Sequence, residues 1–314
     1  MTLLKIGVIG LGAIGERLIQ AFTAHKNTEV TAVVDTNKER AMSMAKKLGG
    51  VHWYANHKEL LANEELDLVY IAVPPKFHHA VAIDVIEKGI HLLCEKPLAN
   101  SLEEAKEMYE RAKQGGIIHA MNFPLNYSSP ANTFEKLIKQ GYIGNLRKLE
   151  LSMNFPNWPR LWQQNDWVAG REQGGFVLEV GVHFIQLTQR IFGEITHLNS
   201  VLELPEDESK CETGVIGSLE VNGTPFLING ISQIAGSERI AYTAYGTEGT
   251  LSLVDWGKLE GGKLGEGIQP IHTTEIQSTL LDHLVAAIEG KENRLYTFKD
   301  GYDAQVILEK LRAI

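Results

Sequence analysis

Cysteine is scarce in this sequence, with only Cys94 and Cys211 among 314 residues. The two lie far apart, which excludes a disulfide framework or a cysteine-rich zinc module and makes a reducing cytoplasm the expected location. Long apolar runs are also missing, since none approaches the ~18–20 residues of a membrane span. The run Leu3–Ile9 is too short for a signal-peptide core and breaks into glycine, so we expect no contact with a membrane.

Positive charge is the next deficit, because 30 Lys and Arg stand against 39 Asp and Glu, for a formal net charge of −9. Nucleic-acid binders need clustered Lys and Arg, and no such cluster occurs along the chain, so we expect no nucleic-acid partner. Hydrophobic residues at 44% and charged residues at 22% exclude wholesale disorder and coiled-coil architecture. At roughly 100–200 residues per domain, the length predicts two domains.

Short apolar runs alternate with helical stretches through the first 120 residues. Strands buried on both faces read as continuous apolar runs, and the helices between them are the crossovers of a parallel sheet. The pattern predicts a doubly wound α/β sheet, a Rossmann domain, over residues 1–122. The expected strands are Leu3–Ile9, Glu29–Val34, Asp67–Val73 and Ile90–Cys94, and the expected helices are one ending near Lys26, Lys38–Leu48 and Phe77–Lys88.

The pattern changes after residue 120, where strands begin to follow one another without intervening helices. This order predicts a large, mostly antiparallel open sheet in an α+β domain over residues 123–314. Asn222-Gly223 is a typical hairpin signal between two of its strands. The expected elements are helices at Ser128–Gln140, Gly175–Phe192, about Ile276–Ile288 and Asp300–Leu311, with strands between Ile195 and about Thr273.

The first strand ends in a G-x-G-x-x-G turn over Gly10–Gly15 that opens a helix. Its glycines permit a tight turn, close approach of a pyrophosphate and close helix–strand packing, and the helix N-terminus attracts phosphate. Asp35 ends the second strand, where a carboxylate binds ribose hydroxyls and repels a 2′-phosphate. The pattern predicts NAD as cofactor, with NADP possible because Lys38 and Arg40 lie nearby. The candidate cofactor residues here are Gly10, Gly12, Ala13, Ile14, Gly15, Asp35 and Arg40.

Glu95-Lys96-Pro97 follows a predicted parallel strand at its carboxyl end, where open α/β sheets bind ligands. A lysine in this position can donate a hydrogen bond to a substrate oxygen and can take part in acid–base chemistry. A surface ion pair beside a turn proline is the alternative interpretation.

Two ionisable residues interrupt the apolar segment Gly174–Leu187. If this segment is helical, Glu179 and His183 lie four residues apart, on one face and in contact. A carboxylate there can fix the tautomer of the imidazole and stabilise its protonated form. The alternative is a structural pair that satisfies itself.

Three of the five tryptophans, Trp158, Trp162 and Trp167, fall within a short polar stretch. Aromatic faces with polar groups nearby bind sugars and other small polar ligands. A loop packed on the sheet, or a subunit contact, is an equally good interpretation.

In combination, the glycine turn, Glu95-Lys96-Pro97 and the G-G-x-x-x-[acidic]-x-x-x-His pattern ending at His183 resemble the Gfo/Idh/MocA family of NAD(P)-dependent oxidoreductases. The resemblance runs over nearly the whole chain. It includes Pro74-x-x-x-His78, the helix within Lys136–Gly144 and the closing helix from Asp300.

The resemblance implies that Lys96 is the catalytic lysine, that His183 is the acid/base or a substrate ligand, and that Glu179 is the acidic residue preceding it. It also implies self-association as a dimer or tetramer through the outer face of the second domain's sheet. Further cofactor contacts are expected at Pro74, His78, Glu95 and Lys96, and substrate contacts at Lys96, Tyr127, Trp162, Trp167, Glu179 and His183.

Two positions depart from the family pattern. Members that act on sugars and cyclitols commonly have aspartate where this chain has Glu179, so the carboxylate is displaced by one methylene. Many members carry arginine around residues 125–127, where this chain has none, which disfavours an anionic substrate.

The expected activity is hydride transfer between NAD and a secondary alcohol or ketone of a sugar, cyclitol or similar small molecule, without a metal. A non-catalytic NAD sensor, a glycosidase that uses NAD transiently, and a reductase or dehydrogenase of an aromatic diol or imine are the alternatives.

Overall fold

A computed structural model describes residues 3–163, 165–273, 275 and 278–313. The chain divides into two compact units, the first formed by residues 1–122 and 278–302 and the second by residues 123–277 and 303–314. The first unit therefore takes up a late segment that the sequence analysis placed in the second domain. Within the described ranges, no helix has both the length and the apolar character to cross a bilayer.

The first unit contains a six-stranded, fully parallel sheet with helices between its strands. Its elements are β1 (Leu4–Ile9), α1 (Ala13–Ala24), β2 (Thr28–Val34), α2 (Lys38–Lys47), β3 (His52–Tyr54), α3 (His57–Asn63), β4 (Leu68–Ile71), α4 (His78–Glu87), β5 (His91–Cys94), α5 (Leu102–Gly115) and β6 (His119–Met121). The strand order β3-β2-β1-β4-β5-β6 reverses direction between β1 and β4. Ligands bind outside the carboxyl ends of the strands at such a switch point. The predicted doubly wound sheet is confirmed.

The second unit contains an eight-stranded sheet. Its elements are α6 (Ser129–Lys139), β7 (Leu146–Phe155), α7 (Asp166–Ala169), α8 (Val182–Phe192), β8 (Ile195–Glu203), β9 (Gly214–Val221), β10 (Thr224–Ser232), β11 (Arg239–Gly246), β12 (Gly249–Val254), β13 (Lys258–Lys263) and β14 (Gln269–Pro270). The chain then returns to the first unit with α9 (Leu280–Ile288) and enters α10 (Phe298–Arg312), whose residues from 303 onward belong to the second unit. The order is β14-β13-β12-β11-β7-β10-β9-β8, and among the described strands of this sheet only β7 and β10 pair in parallel. The predicted, mostly antiparallel sheet is confirmed.

Two predicted helices differ from the structure by more than two residues at their N-terminal ends. The start predicted at Ile276 lies outside the described residues, and α9 begins at Leu280, where Thr279 forms a capping box with Asp282. A π-helical turn occupies Val177–Gly181, so the regular α-helix predicted from Gly175 is wrong over this stretch and α8 begins only at Val182. Such turns are frequent at functional sites.

One face of the large sheet is packed around Tyr242, which is fully buried. Its ring lies 5.7 Å from those of Phe134 on α6 and Phe184 on α8, and its hydroxyl is 2.8 Å from Thr188 Oγ1. These contacts anchor α8, and with it His183, on the sheet. The same face receives the alternating buried residues of β7, namely Leu149, Leu151, Met153 and Phe155.

Residues 278–302 belong to the first unit because they bond to its outermost strand and first helix. The Met121 N–H donates to the Tyr296 carbonyl oxygen at 2.7 Å, and the Phe298 N–H donates to His119 Nδ1 at 3.1 Å. In addition, His25 Nε2 lies 3.2 Å from the Asp282 carboxylate. The bonds to Met121 and His119 extend the edge formed by β6.

Acidification from pH 7.5 to pH 5 is expected to destabilise the first unit through His119. Burial lowers the pKa of this histidine from 6.5 to about 4, and its neutral ring accepts the Phe298 N–H. The unfolded chain binds a proton at this site as the pH falls through 6.5, whereas the folded chain does not until about pH 4. The contribution of neutral His119 to the free energy of unfolding is therefore complete above pH 6.5 and is lost as the pH falls. At pH 5 the loss is about 1–2 kcal/mol.

Urea unfolding of wild type and His119→Gln at the two pH values measures this effect. The variant is expected to lose less stability on acidification than wild type does. His272→Gln, which alters an exposed histidine, serves as the control. An identical pH dependence in wild type and His119→Gln would show that His119 does not carry the effect.

Candidate functional site

In the first unit, the Gly10–Gly15 turn leaves open space in front of α1. Gly10 has a φ of +98°, and a Cβ there would lie 2.4 Å from the Ala72 carbonyl oxygen. A Cβ at Gly15 would lie 2.1 Å from the Gly10 oxygen, whereas one at Gly12 would meet nothing within 4 Å. The chain itself thus requires the outer two glycines, and Gly12, the N-cap of α1, faces room for a phosphate.

Asp35 is held against this turn at the carboxyl end of β2. Its Oδ2 accepts hydrogen bonds from the Leu11 N–H at 3.1 Å and from Arg40 Nη1 at 3.2 Å, and its Oδ1 accepts one from the Asn37 N–H at 2.8 Å. A carboxylate offers about four acceptor positions, so capacity remains for a ribose hydroxyl. The Arg40 side chain is half exposed, which leaves part of its guanidinium open to a ligand phosphate.

Glu95 anchors the segment that presents Lys96. Its Oε1 accepts hydrogen bonds from the Tyr70 hydroxyl at 2.6 Å and from Asn122 Nδ2 at 2.5 Å. Burial raises the pKa of Glu95 above its ordinary value, and its Oε2 accepts the Lys96 N–H at 3.3 Å. Glu95 is therefore a buried junction between the ends of β4, β5 and β6, and Lys96 follows it as a partly exposed side chain.

The His78 side chain joins two loops at the same edge of the sheet. It is 0% exposed, with Nδ1 2.9 Å from the Pro97 carbonyl oxygen and Nε2 2.9 Å from that of Val73. Burial lowers the pKa of His78. This side chain thus holds the backbone around Pro74 and Lys96, and its contact with the cofactor stays a prediction.

In the second unit, His183 is enclosed by two aromatic rings. The imidazole is only 7% exposed and makes edge-to-face contacts with Phe123, at 6.0 Å between ring centroids, and with Trp256, at 5.4 Å. Glu179 lies in the π-helical turn one turn before His183, is equally buried, and accepts a hydrogen bond from Gln163 Nε2 at 3.3 Å. An imidazole and a carboxylate in apolar surroundings can move a proton and orient a hydroxyl.

Glu212 caps the helical segment that carries Glu179. Its Oε1 accepts the Val177 N–H at 2.8 Å, and burial raises the pKa of its carboxyl group. Gly175 has a φ of +97°, and a Cβ there would lie 2.2 Å from Glu212 Oε2. This capping carboxylate therefore accounts for Gly175, whereas a Cβ at Gly174 would lie 2.3 Å from the Trp167 carbonyl oxygen.

Trp256 is a candidate site residue that the sequence analysis missed. It follows Asp255 in the β12–β13 turn. Both residues have positive φ values, 48° for Asp255 and 65° for Trp256. Such left-handed backbone is costly for bulky side chains and clusters at functional sites. Asp255 fixes the turn, since its Oδ1 accepts the Ile240 N–H at 3.1 Å and its own N–H donates to the Ile240 oxygen at 2.9 Å.

The aromatic residues predicted to contact substrate have different environments. Tyr127 is buried in a turn that Asn126 connects to α8. Asn126 Nδ2 donates to Gln186 Oε1 at 2.5 Å, and Asn126 Oδ1 accepts from Arg190 Nη1 at 2.6 Å. Trp162 is 52% exposed and Trp167 is partly buried. Trp158, by contrast, packs on Phe155 and Phe176, so the loop-packing interpretation holds for this one.

The described residues include no group of three or more His, Cys, Asp or Glu placed to hold a metal ion.

Sequence profiles of one family match both halves of the chain. The profile described as an oxidoreductase family with an NAD-binding Rossmann fold matches residues 4–123, and that of the GFO/IDH/MocA C-terminal domain matches residues 132–252. The chain belongs to the Gfo/Idh/MocA family of oxidoreductases. The predicted family, and the nicotinamide dinucleotide cofactor that its Rossmann domain binds, are confirmed.

Two relatives of this Gfo/Idh/MocA protein are named for the sugars on which they act. The chain is 27% identical to levoglucosan dehydrogenase of Pseudarthrobacter phenanthrenivorans over 227 residues, which cover 68% of this chain and 57% of that enzyme. It is 32% identical to glucose-6-phosphate 3-dehydrogenase of Bacillus subtilis over 191 residues, or 60% and 53% of the two chains. The chain thus spans little more than half the length of these curated relatives.

A solved structure confirms the fold. Levoglucosan dehydrogenase in complex with NADH superposes with a TM-score of 0.86 at 21% sequence identity, over 99% of this chain and 96% of that one.

Proposed function

We propose that this protein is an NAD-dependent dehydrogenase that oxidises a secondary alcohol of an uncharged sugar, anhydrosugar or cyclitol. The observation that carries the proposal is the buried His183, enclosed by Phe123 and Trp256 with Glu179 one turn away. Aromatic rings beside such polar groups match the apolar C–H faces and hydroxyls of sugars. The absence of arginine over residues 124–128 supports an uncharged substrate.

Each residue has a defined role in this proposal. Bound NAD would supply the hydride acceptor. Lys96 donates a hydrogen bond to the reacting oxygen and stabilises the negative charge that develops on it. His183 accepts the hydroxyl proton, and the Glu179 carboxylate stabilises the resulting imidazolium. In the cofactor site, Gly12 and the N-terminus of α1 bind the pyrophosphate, and Asp35 binds the adenosine ribose.

The test follows the absorbance of reduced nicotinamide with NAD and, separately, NADP. The panel contains levoglucosan, glucose, a methyl glucoside, myo-inositol, an aromatic diol and glucose 6-phosphate. We expect reduction of NAD by an uncharged sugar or cyclitol and slower turnover of the phosphorylated one. Silence across the panel with tight NADH binding would contradict the proposal, and sugar release from a glycoside without net NADH would identify the transient-NAD hydrolase instead.

We further propose that the chain self-associates through the outer face of its large sheet. On β9, Val215, Leu219 and Val221 are buried, whereas Ile216 between them points outward and is 67% exposed. Val201 on β8 pairs with Ile216, and the outward Leu227 and Ile231 on β10 continue the exposed apolar patch. Patches of this kind mark interaction sites, and a second copy offers the same surface for symmetric pairing.

Charging this patch is expected to dissociate the oligomer. The double variant Ile216→Glu/Leu227→Glu places four like charges across a symmetric interface, so its dissociation constant should rise by at least ~100-fold. Sedimentation equilibrium gives the mass, and Leu264→Glu, at an exposed residue just after β13, is the control. A wild type that stays monomeric at high concentration, or a double variant of unchanged mass, would refute self-association through this face.

A further inference from the structure

A line of hydrogen-bonded side chains leads from Glu179 to the surface of the second unit. Gln163, itself 7% exposed, donates from Nε2 to Glu179 Oε2 at 3.3 Å and accepts at Oε1 from Arg160 Nη1 at 3.2 Å. Arg160 Nε in turn lies 3.0 Å from both carboxylate oxygens of Glu238. The order along the line is therefore Glu238, Arg160, Gln163 and Glu179.

The chemistry of Arg160 sets the direction of every bond in this line. A guanidinium has only donors, so the amide of Gln163 must turn its oxygen towards Arg160. The NH₂ group of Gln163 then faces Glu179. Because an NH₂ group can only donate, its partner on Glu179 must accept the hydrogen bond. The Oε2 atom of Glu179 is therefore the acceptor at the inner end of the line.

Arg160 is well placed to impose this direction because it is itself fixed. Its guanidinium lies over the rings of Phe155, at 5.1 Å from the centroid, and Trp158, at 5.5 Å. Its side chain is largely buried, and the bond from the Gln163 N–H to the Arg160 oxygen, at 2.8 Å, holds the two residues in one turn. Charge-assisted bonds to a stacked guanidinium restrict rotation of the amide beyond it.

From these contacts we infer that Gln163 and Arg160 are positioning residues that hold Glu179 as a hydrogen-bond acceptor. The inference builds on the proposed function and narrows it, because it fixes Oε2 as the oxygen that accepts from Gln163 while Glu179 assists His183 or orients a substrate hydroxyl. It also gives a function to Arg160 and Gln163, the polar residues that lie among Trp158, Trp162 and Trp167.

The first test separates chemistry from cofactor binding. Gln163→Leu removes the amide at similar volume, and loss of a bond to a charged group should lower kcat by about 10–100-fold, with the KM for NAD unchanged. Gln189→Leu is the matched control, since that amide donates to the Asp303 carbonyl oxygen from the same helix as His183.

The second test requires no substrate. Gln163→Glu places two acceptors face to face and should lower Tm, whereas Gln163→Glu combined with Glu179→Gln restores a donor opposite an acceptor. A recovery of ~2 °C or more in the double variant, relative to the sum of the single losses, is expected. Recovery of Tm when donor and acceptor are exchanged reports the direction of the hydrogen bond. Packing alone would not produce such a recovery.

The two tests fail in distinguishable ways. An active wild type whose Gln163→Leu variant keeps kcat within about twofold, with additive Tm losses in the reversed pair, overturns the positioning role. A wild type inactive on every substrate, but with the Tm rescue intact, overturns the proposed function and leaves the role of Gln163 standing.

Discussion

Lys96→Ala is expected to lower kcat by at least ~10²-fold while the protein still folds and binds NADH, because the variant loses the donor that stabilises charge on the reacting oxygen. The fold should survive, since Glu95 holds this segment through Tyr70 and Asn122 and neither bond involves the lysine side chain. Steady-state kinetics and NADH fluorescence titration measure the two effects.

His183→Ala should produce a loss of the same order, roughly 10²–10⁴-fold, since the proton acceptor is removed. Effects of residues that act as a unit are not additive, so the double variant should be little worse than the poorer single one. Lys113→Ala, at an exposed position on α5, controls for the loss of a surface charge. Near wild-type turnover in both Lys96→Ala and His183→Ala would end the proposed mechanism.

Asp35→Ser is expected to raise the ratio of kcat/KM for NADP to that for NAD by about 10²-fold or more. The substitution removes the carboxylate that repels a 2′-phosphate, and it releases the Arg40 guanidinium now 3.2 Å from Asp35 Oδ2. A freed arginine binds phosphate through charge-assisted bonds, each worth about 1.5–3 kcal/mol. The same change should weaken NAD binding, since the ribose loses its acceptor.

The double variant Asp35→Ser/Arg40→Ala separates the two causes. With NAD, its kcat/KM should stay as low as that of Asp35→Ser. With NADP, it should lose most of the increase in kcat/KM that Asp35→Ser shows. Because Asp35 also accepts the Leu11 and Asn37 N–H groups, Tm is measured in parallel to show that the glycine turn survives. An unchanged cofactor ratio in Asp35→Ser would show that Asp35 does not set the preference.

The elements that were predicted correctly are those whose signal is local. The mainly apolar runs that became β1, β2, β4 and β5 are largely buried, and the glycine turn with Asp35 depends on spacing within a single βαβ unit. By contrast, β3 and β6 are three residues long and went unpredicted. Their strand conformation comes from pairing with a neighbour, which a run of three residues cannot signal.

The chemistry-bearing residues divide in the same way. Glu179 and His183 were selected because ionisable groups in an apolar segment are costly and therefore informative, and Lys96 because it follows a strand at its carboxyl end. Trp256 could not be selected, since only the β12–β13 hairpin, held by Asp255 to β11, brings its ring to His183. Gln163 likewise acquires its task only when the loop after β7 meets the π-helical turn.

The sequence by itself determined the parallel sheet, the dinucleotide turn, the preference expected of Asp35 and the family, because these depend on periodicity and short spacings. The tertiary structure alone decided that residues 278–302 belong to the first unit, that a π-helical turn carries Glu179, and which rings enclose His183. The physical reason is that these features arise from contacts between residues far apart along the chain. Their free energy is gained only on packing, and no local pattern of side chains records it.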